Sequence, residues 1–146
     1  MPLPDFNSVG DLPEGVHRAT LEETVTRFSD ENEQRKAVTS RFIRIHQLAT
    51  ATGQLERFIV FGSYITLKPE PHDVDIVLIM RDDFELATCD EEARKLFEHT
   101  QAEFEFGASV FWIRVSFLLL ETVDEFISHW QIKRDRSRRG IVEVIV

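Results

Sequence analysis

Two aspartates one residue apart, Asp73 and Asp75, open the apolar run "VDIVLIM" at 74–80. On a strand, residues i and i+2 share a face, so the two carboxylates project together while Val74 and Ile76 point the other way. Side by side, two carboxylates repel, and one pKa rises unless a cation lies between them. A hard dication relieves that repulsion. Mg²⁺ (or Mn²⁺) takes one or two carboxylates and completes its octahedron with water and substrate phosphates. An Asp-x-Asp pair on a rigid strand therefore suits metal-assisted phosphoryl or nucleotidyl transfer. Alone the pattern is a weak signal, because aspartate is common at turns.

The preceding apolar run, "RFIVF" at 57–61, ends in Gly62-Ser63. Glycine lets a phosphate approach the backbone closely, and serine adds an N–H and a hydroxyl. A helical turn starting across 64–67 would add further free N–H groups for an anion. A phosphate grip on one strand and a metal-ligand pair on the next form a joint signal stronger than either half.

The elements that must position these residues are legible from periodicity and caps. Residues 1–19, with Pro2, Pro4, Pro13, Gly10 and Gly15, read as an extended N-terminal lead-in. Thr20 with Glu23 has capping-box spacing, and Leu21, Val25 and Phe28 share a helix face. Asp30 with Glu33 repeats the signal before a helix carrying Val38, Phe42, Ile45 and Ala49, with Gly53 as its stop. After the two strands at 57–61 and 74–80, Thr88 with Glu91 starts a helix bearing Ala93, Leu96, Phe97, Thr100 and Phe104, ended by Gly107. Residues 108–118 read as a third strand. Thr122 with Glu125 caps a last helix with Val123, Phe126, Ile127 and Trp130 inward, and 140–146 is a fourth strand. The expectation is one α/β (α+β) domain spanning 1–146, a small mixed sheet of about four strands flanked by helices.

Composition bounds the function classes. A 146-residue chain with 42% hydrophobic residues and twelve Phe has a globular core. No run approaches the roughly 18 apolar residues of a membrane span, and the N-terminus lacks a basic, apolar leader. Cytoplasmic residence with no membrane partner is expected. The single Cys89 excludes an intramolecular disulfide framework and a multi-cysteine zinc site. A net charge of −9 argues against a broad nucleic-acid surface. Charge is uneven, however: "QIKRDRSRR" at 131–139 sets Lys133, Arg134, Arg136, Arg138 and Arg139 against Asp135. In an extended segment Arg134, Arg136 and Arg138 would alternate onto one side, where guanidinium groups suit phosphate. The same loop, 133–139, would also suit a protein partner.

The stretch "FGSYITLKPEPHDVDIVLI" resembles the signature of the nucleotidyltransferase-fold superfamily, the polymerase-beta-like group that includes the minimal nucleotidyltransferases. Phe61, Gly62, Ser63, Asp73, Val74, Asp75 and Ile76 match its pattern. The wider chain, with "LPEGVHRATLEE" at the start and "RDRSRRGIV" near the end, is similar to an uncharacterised branch of small bacterial proteins of this kind. The resemblance implies a nucleotidyltransferase-like sheet, Gly62 and Ser63 at the phosphates of a nucleoside triphosphate, and Asp73 and Asp75 as catalytic ligands of Mg²⁺. It further implies transfer of a nucleoside monophosphate to an acceptor (protein, tRNA or small molecule).

Active members supply a third acid from a later strand. The strand "FGASVFWIRV" has none, and Ser109 stands at the expected position. Serine cannot act as a carboxylate base. Glu105 is the candidate substitute, with Glu103 nearby and Glu143 more distant. Two readings follow: a nucleotidyltransferase with a substitute acid, or a degenerate binding or regulatory module such as a toxin–antitoxin or phage-defence component. His72 and Lys68 sit in the loop before the aspartates. Trp112 and Trp130 fit core aromatics better than base-stacking ones.

Overall fold

The computed structural model describes residues 3–29 and 32–146. It is a mixed α/β fold with a five-stranded sheet, where the sequence led us to expect about four. The strands are β1 (Val16–Ala19), β2 (Leu55–Phe61), β3 (Val74–Met80), β4 (Ala108–Arg114) and β5 (Ile141–Val144). Their order is β1-β5-β2-β3-β4. The two outer pairs, β1 with β5 and β3 with β4, are parallel, and β2 runs antiparallel to both β3 and β5. The additional strand β1 lies inside the stretch 1–19 expected to be a lead-in. Four residues reading Val-His-Arg-Ala carry no apolar run, and their pairing with β5 is made far along the chain.

The helices are α1 (Leu21–Phe28), α2 (Glu33–Ala51), α3 (Glu91–Arg94), α4 (His99–Phe106) and α5 (Val123–His129). Complete capping boxes at Thr20/Glu23 and Thr122/Glu125 start α1 and α5. Asp30 lies outside the described residues; the N-cap of α2 is Asn32, whose side chain accepts from Arg35 N–H. Gly53, at φ 71, follows the end of α2 in the left-handed conformation. Asp90, not Thr88, caps α3 by accepting from Ala93 N–H.

The single helix expected to run to Gly107 is broken. Glu98 adopts extended angles and its carboxylate caps α4 by accepting from Thr100 and Gln101 N–H. Restarting the helix there turns Ala102 and Phe106 inward and leaves Phe104 87% exposed, on the side opposite to that expected. The third strand likewise ends at Arg114 and not at 118, giving way to a 3₁₀ turn at Val115–Phe117.

Pleating divides the sheet into two faces. Phe58, Val60, Ile76 and Leu78 are fully buried on the face covered by α2, whose Val38, Phe42 and Ile45 are fully buried. The Phe42 and Phe58 rings lie 5.9 Å apart. The opposite face carries Phe61, Asp75, Val77, Ser109, Phe111 and Glu143, and receives Trp130 from the end of α5. Among the described residues no helix is long and apolar enough to cross a membrane.

One buried side chain ties α2 to the turn after β2. The Arg35 guanidinium donates to Phe28 O (2.9 Å), Tyr64 O (2.8 Å), Thr66 O (2.6 Å) and Lys68 O (2.7 Å). Beside it, Asn32 Nδ2 donates to Pro69 O and Gln34 Nε2 to Pro71 O. Tyr64 completes the anchor: its ring is fully buried against Phe28 and Phe42, and its hydroxyl bonds Thr39 Oγ1 at 2.6 Å. The entire loop from Tyr64 to Pro71 is thereby fixed to α2. Replacing Arg35 by Met leaves several buried carbonyls without a donor, each costing about 1–3 kcal/mol. We expect Arg35→Met to destabilise the fold by about 3 kcal/mol or more, read as a lowered urea midpoint. An unchanged midpoint would show that water replaces the guanidinium without cost.

Candidate functional site

The end of β2, the start of β3 and the start of β4 converge at one edge of the sheet. Phe61 is the register partner of Asp75, and Asp75 in turn is the register partner of Ser109. Gly62 turns the chain away from β2 at φ 84, a conformation costly for any residue with a Cβ. Space imposes a second demand: a Cβ on Gly62 would sit 2.0 Å from Asp75 Oδ2. The glycine is thus required for both backbone and carboxylate. Ser63 begins a single 3₁₀ turn, Ser63–Ile65, closed by Thr66, whose N–H and hydroxyl both donate to Ser63 O.

Gly62, Ser63, Asp75 and Ser109 line a cleft of about 730 Å³ together with Lys68, His72, Asp73, Lys133, Arg134, Asp135 and Arg139. Of the site residues named from the sequence, Gly62, Ser63, Asp73, Asp75 and Arg134 all line this cleft. Arg136 and Arg138 are not among the lining residues. Alternation fails because 133–137 is a tight turn: Lys133 N–H donates to Ser137 O, Arg136 N–H to Lys133 O, and Arg136 has φ 72. Arg136 is exposed, and Arg138 turns away to Glu14 (2.9 Å) and Ser128.

Lys133 and Arg139 take their place, held by a carboxylate that the local sequence gives no means of finding. Asp11 is buried and pairs with Lys133 Nζ at 3.2 Å and Arg139 Nη1 at 3.5 Å. Gln131, at the root of the turn, accepts from Gly15 N–H at 2.6 Å. The lead-in thus braces the cationic wall of the cleft. Asp135 shapes the turn by accepting from Ser137 N–H and Oγ–H, and those bonds hold its carboxyl below the usual range.

The carboxylate pair is strained electrostatically. Burial, and then the charge of Asp73, push the Asp75 carboxyl up to about 6, against the Ser109 hydroxyl and the charges of Arg139 and Arg134. Ser109 Oγ lies 3.4 Å from Asp73 Oδ2, near the outer limit of a hydrogen bond. Neither aspartate forms an ion pair among the described residues. Two hard oxygen donors, one of them held in a costly ionised state, fit a hard dication with open positions for water and phosphate. Among the described residues no group of three His, Cys, Asp or Glu is placed to enclose a metal.

The candidate third acids are engaged elsewhere. Glu105 pairs with Lys95 Nζ at 3.3 Å and lines a separate groove with Phe104 and Arg94. Glu143 is buried in a two-pronged pair with Arg57, its oxygens accepting from Nε at 2.9 Å and Nη2 at 2.7 Å. Glu103 pairs with His99. Ser109 alone occupies the register position beside Asp75 on β4.

Residues 4–145 match the family described as a family of unknown function, DUF6932, and the chain belongs to that family. Neither the curated proteins nor the solved structures contain a significant match.

The raised Asp75 pKa has a signed consequence. Between the unfolded value near 3.9 and the folded value, the folded protein holds a proton that the unfolded chain releases. Stability therefore falls as pH rises from about 4 to about 6, and the cost is complete above that. In the chelator-treated protein, Asp75→Asn should raise the unfolding midpoint at pH 7.5 and leave it unchanged at pH 4 or below. Millimolar Mg²⁺ should stabilise the parent and not the variant. Equal effects of the substitution at both pH values would remove the electrostatic account.

Proposed function

We propose that this protein is nucleotidyltransferase-like: it binds a nucleoside triphosphate with Mg²⁺ (or Mn²⁺) and transfers a nucleoside monophosphate to an acceptor, releasing pyrophosphate. The observation that carries this reading is the meeting, in one cleft, of the Gly62-Ser63 turn with the Asp73/Asp75 pair. The resemblance of "FGSYITLKPEPHDVDIVLI" to the nucleotidyltransferase signature agrees with it.

Each side chain has a role in this reading. Ser63 offers its hydroxyl to a phosphate oxygen, and Gly62 lets that phosphate lie close to the backbone. Asp73 and Asp75 hold the dication, which when bound would neutralise charge on the reacting phosphate and make an acceptor hydroxyl more acidic. Lys68, Lys133, Arg134 and Arg139 then outnumber Asp135, so the rest of the cleft favours a polyanion. Arginine at Arg134 and Arg139 offers forked donors to phosphate oxygens. Ser109 donates its hydroxyl to Asp73 Oδ2 and takes up no proton at neutral pH.

Ser109 also favours a second reading, a nucleotide-binding or regulatory module that keeps the cleft and has lost turnover. Glu105, Glu143 and Glu103 are all ion-paired away from the aspartates, which supports this second reading. The acceptor would then have to supply its own base for transfer to proceed.

The deciding experiment incubates the protein with each labelled nucleoside triphosphate, Mg²⁺ or Mn²⁺ and a cell extract, beside Asp73→Ala and Asp75→Ala. We expect label on an acceptor with the parent and at least a hundredfold less with either variant, a loss of about 2.7 kcal/mol in transition-state stabilisation. Tight nucleotide binding without transfer would establish the binding module. Absence of both would remove the nucleotide reading.

A further inference from the structure

The geometry points to a second half of the same site: Phe111, backed by Phe61 and Trp130, is a stacking shelf for a purine base of the bound nucleotide. This inference rests on the nucleotide reading above and adds the part of the ligand that the cleft itself does not contact.

The face of the sheet that carries Asp75 does not end at the carboxylates. Phe61 is Asp75's register partner on β2, and Phe111 follows Ser109 by two residues on β4, so both rings rise on that face. Their centroids lie 6.2 Å apart across β3. Trp130 packs on both, at 4.7 Å from Phe61 and 5.2 Å from Phe111. Behind them Val77 and Ile79 are fully buried, whereas Phe111 is 40% exposed. The cluster is therefore rigid beneath and open above, as a stacking platform must be.

Position matches the ligand as well. Phe111 is one strand over and two residues along from Asp75, roughly 8 Å by sheet spacing. That is the reach of a ribose between a phosphate held at the aspartates and its base. Trp130 leads directly through Gln131 and Ile132 to Lys133 and Arg134, so the aromatic and cationic walls are one continuous segment.

Specificity follows from what surrounds the shelf. His99 lies 5.1 Å from the Phe111 ring, but its Nε2 is paired with Glu103 at 2.9 Å and its Nδ1 faces Val110 O at 3.4 Å. With both ring nitrogens engaged, the shelf reads the area of a base more than its hydrogen-bonding edge. ATP and GTP should then bind alike, and both more tightly than UTP or CTP.

The test titrates the full chain, in Mg²⁺, with ATP, GTP, UTP and inorganic tripolyphosphate, following heat and tryptophan fluorescence. Phe111→Leu keeps an apolar side chain and removes the π face; Phe111→Tyr keeps the face. The expected result is ATP and GTP each at least tenfold tighter than tripolyphosphate, with ATP and not tripolyphosphate quenching fluorescence. Phe111→Leu should lose most of that gain with tripolyphosphate affinity unchanged, and Phe111→Tyr should retain it. The shelf is overturned if ATP binds no tighter than tripolyphosphate, if Phe111→Leu keeps full ATP affinity, or if Phe111→Tyr loses it; in those cases tripolyphosphate binding persists and the cleft reading stands. A parent protein that binds neither ATP nor tripolyphosphate overturns the shelf and the nucleotide reading together.

Discussion

The site depends on a buried cation that never enters it. Arg35 reaches from α2 to four carbonyl oxygens, three of them in the segment that follows the Gly62-Ser63 turn. Carbonyls in an irregular segment have no ladder to satisfy them, and a buried one left unpaired is costly. The guanidinium supplies several donors in one rigid fork, which no run of neutral side chains provides so compactly. With Tyr64 buried below and Asn32 and Gln34 holding the prolines beyond, the segment between the two halves of the site behaves as part of α2. That is how a loop of polar residues and prolines delivers Asp73 to a fixed place.

Against that rigidity stands a deliberate electrostatic conflict. Asp73 just before β3 and Asp75 within it are brought together, and Gly62 leaves Asp75 its space. The nearest cations, Arg134 and Arg139, ease the conflict without closing on either carboxylate. Asp11 holds Arg139 and Lys133 to the wall, so the cleft keeps opposite charges apart instead of letting them collapse into a structural ion pair. A preformed separation of charge is what a metal–polyanion pair would exploit, because little reorganisation is then needed on binding.

Local rules carried most of the fold that was legible in the sequence. The i, i+2 spacing of Asp73 and Asp75, the capping boxes at Thr20 and Thr122, and the inward stripe of α2 are all set by neighbours within a few residues. The failures share one cause, contacts made at long range or angles that override period. Glu98 breaks a helix whose apolar spacing continues past it, and Phe104 consequently faces out. Arg136 takes a left-handed angle in a tight turn, so the alternation of Arg134, Arg136 and Arg138 never exists. Asp11 and β1 matter only through partners near residue 140, and nothing in "VGDLPEGVHRA" announces them. The absence of an acid at Ser109 was legible; that Glu143 is neutralised by Arg57 was not.

The pairing of β1 with β5 is the sheet's longest-range contact in sequence. Strands β2, β3 and β4, which carry the Gly-Ser turn and Asp75, follow one another in the sequence and pair as neighbours in the sheet. The cationic wall is secured only when β5 inserts between β1 and β2, with Val16 finding Ile141 and Gly140 N–H bonding Leu12 O. Closing so long a loop is the slowest kind of contact to form. The acidic edge of the cleft is thus built from neighbouring strands, whereas its cationic wall hangs on a contact between segments far apart in the chain, and loosening β1 would loosen the wall before it touched the aspartates.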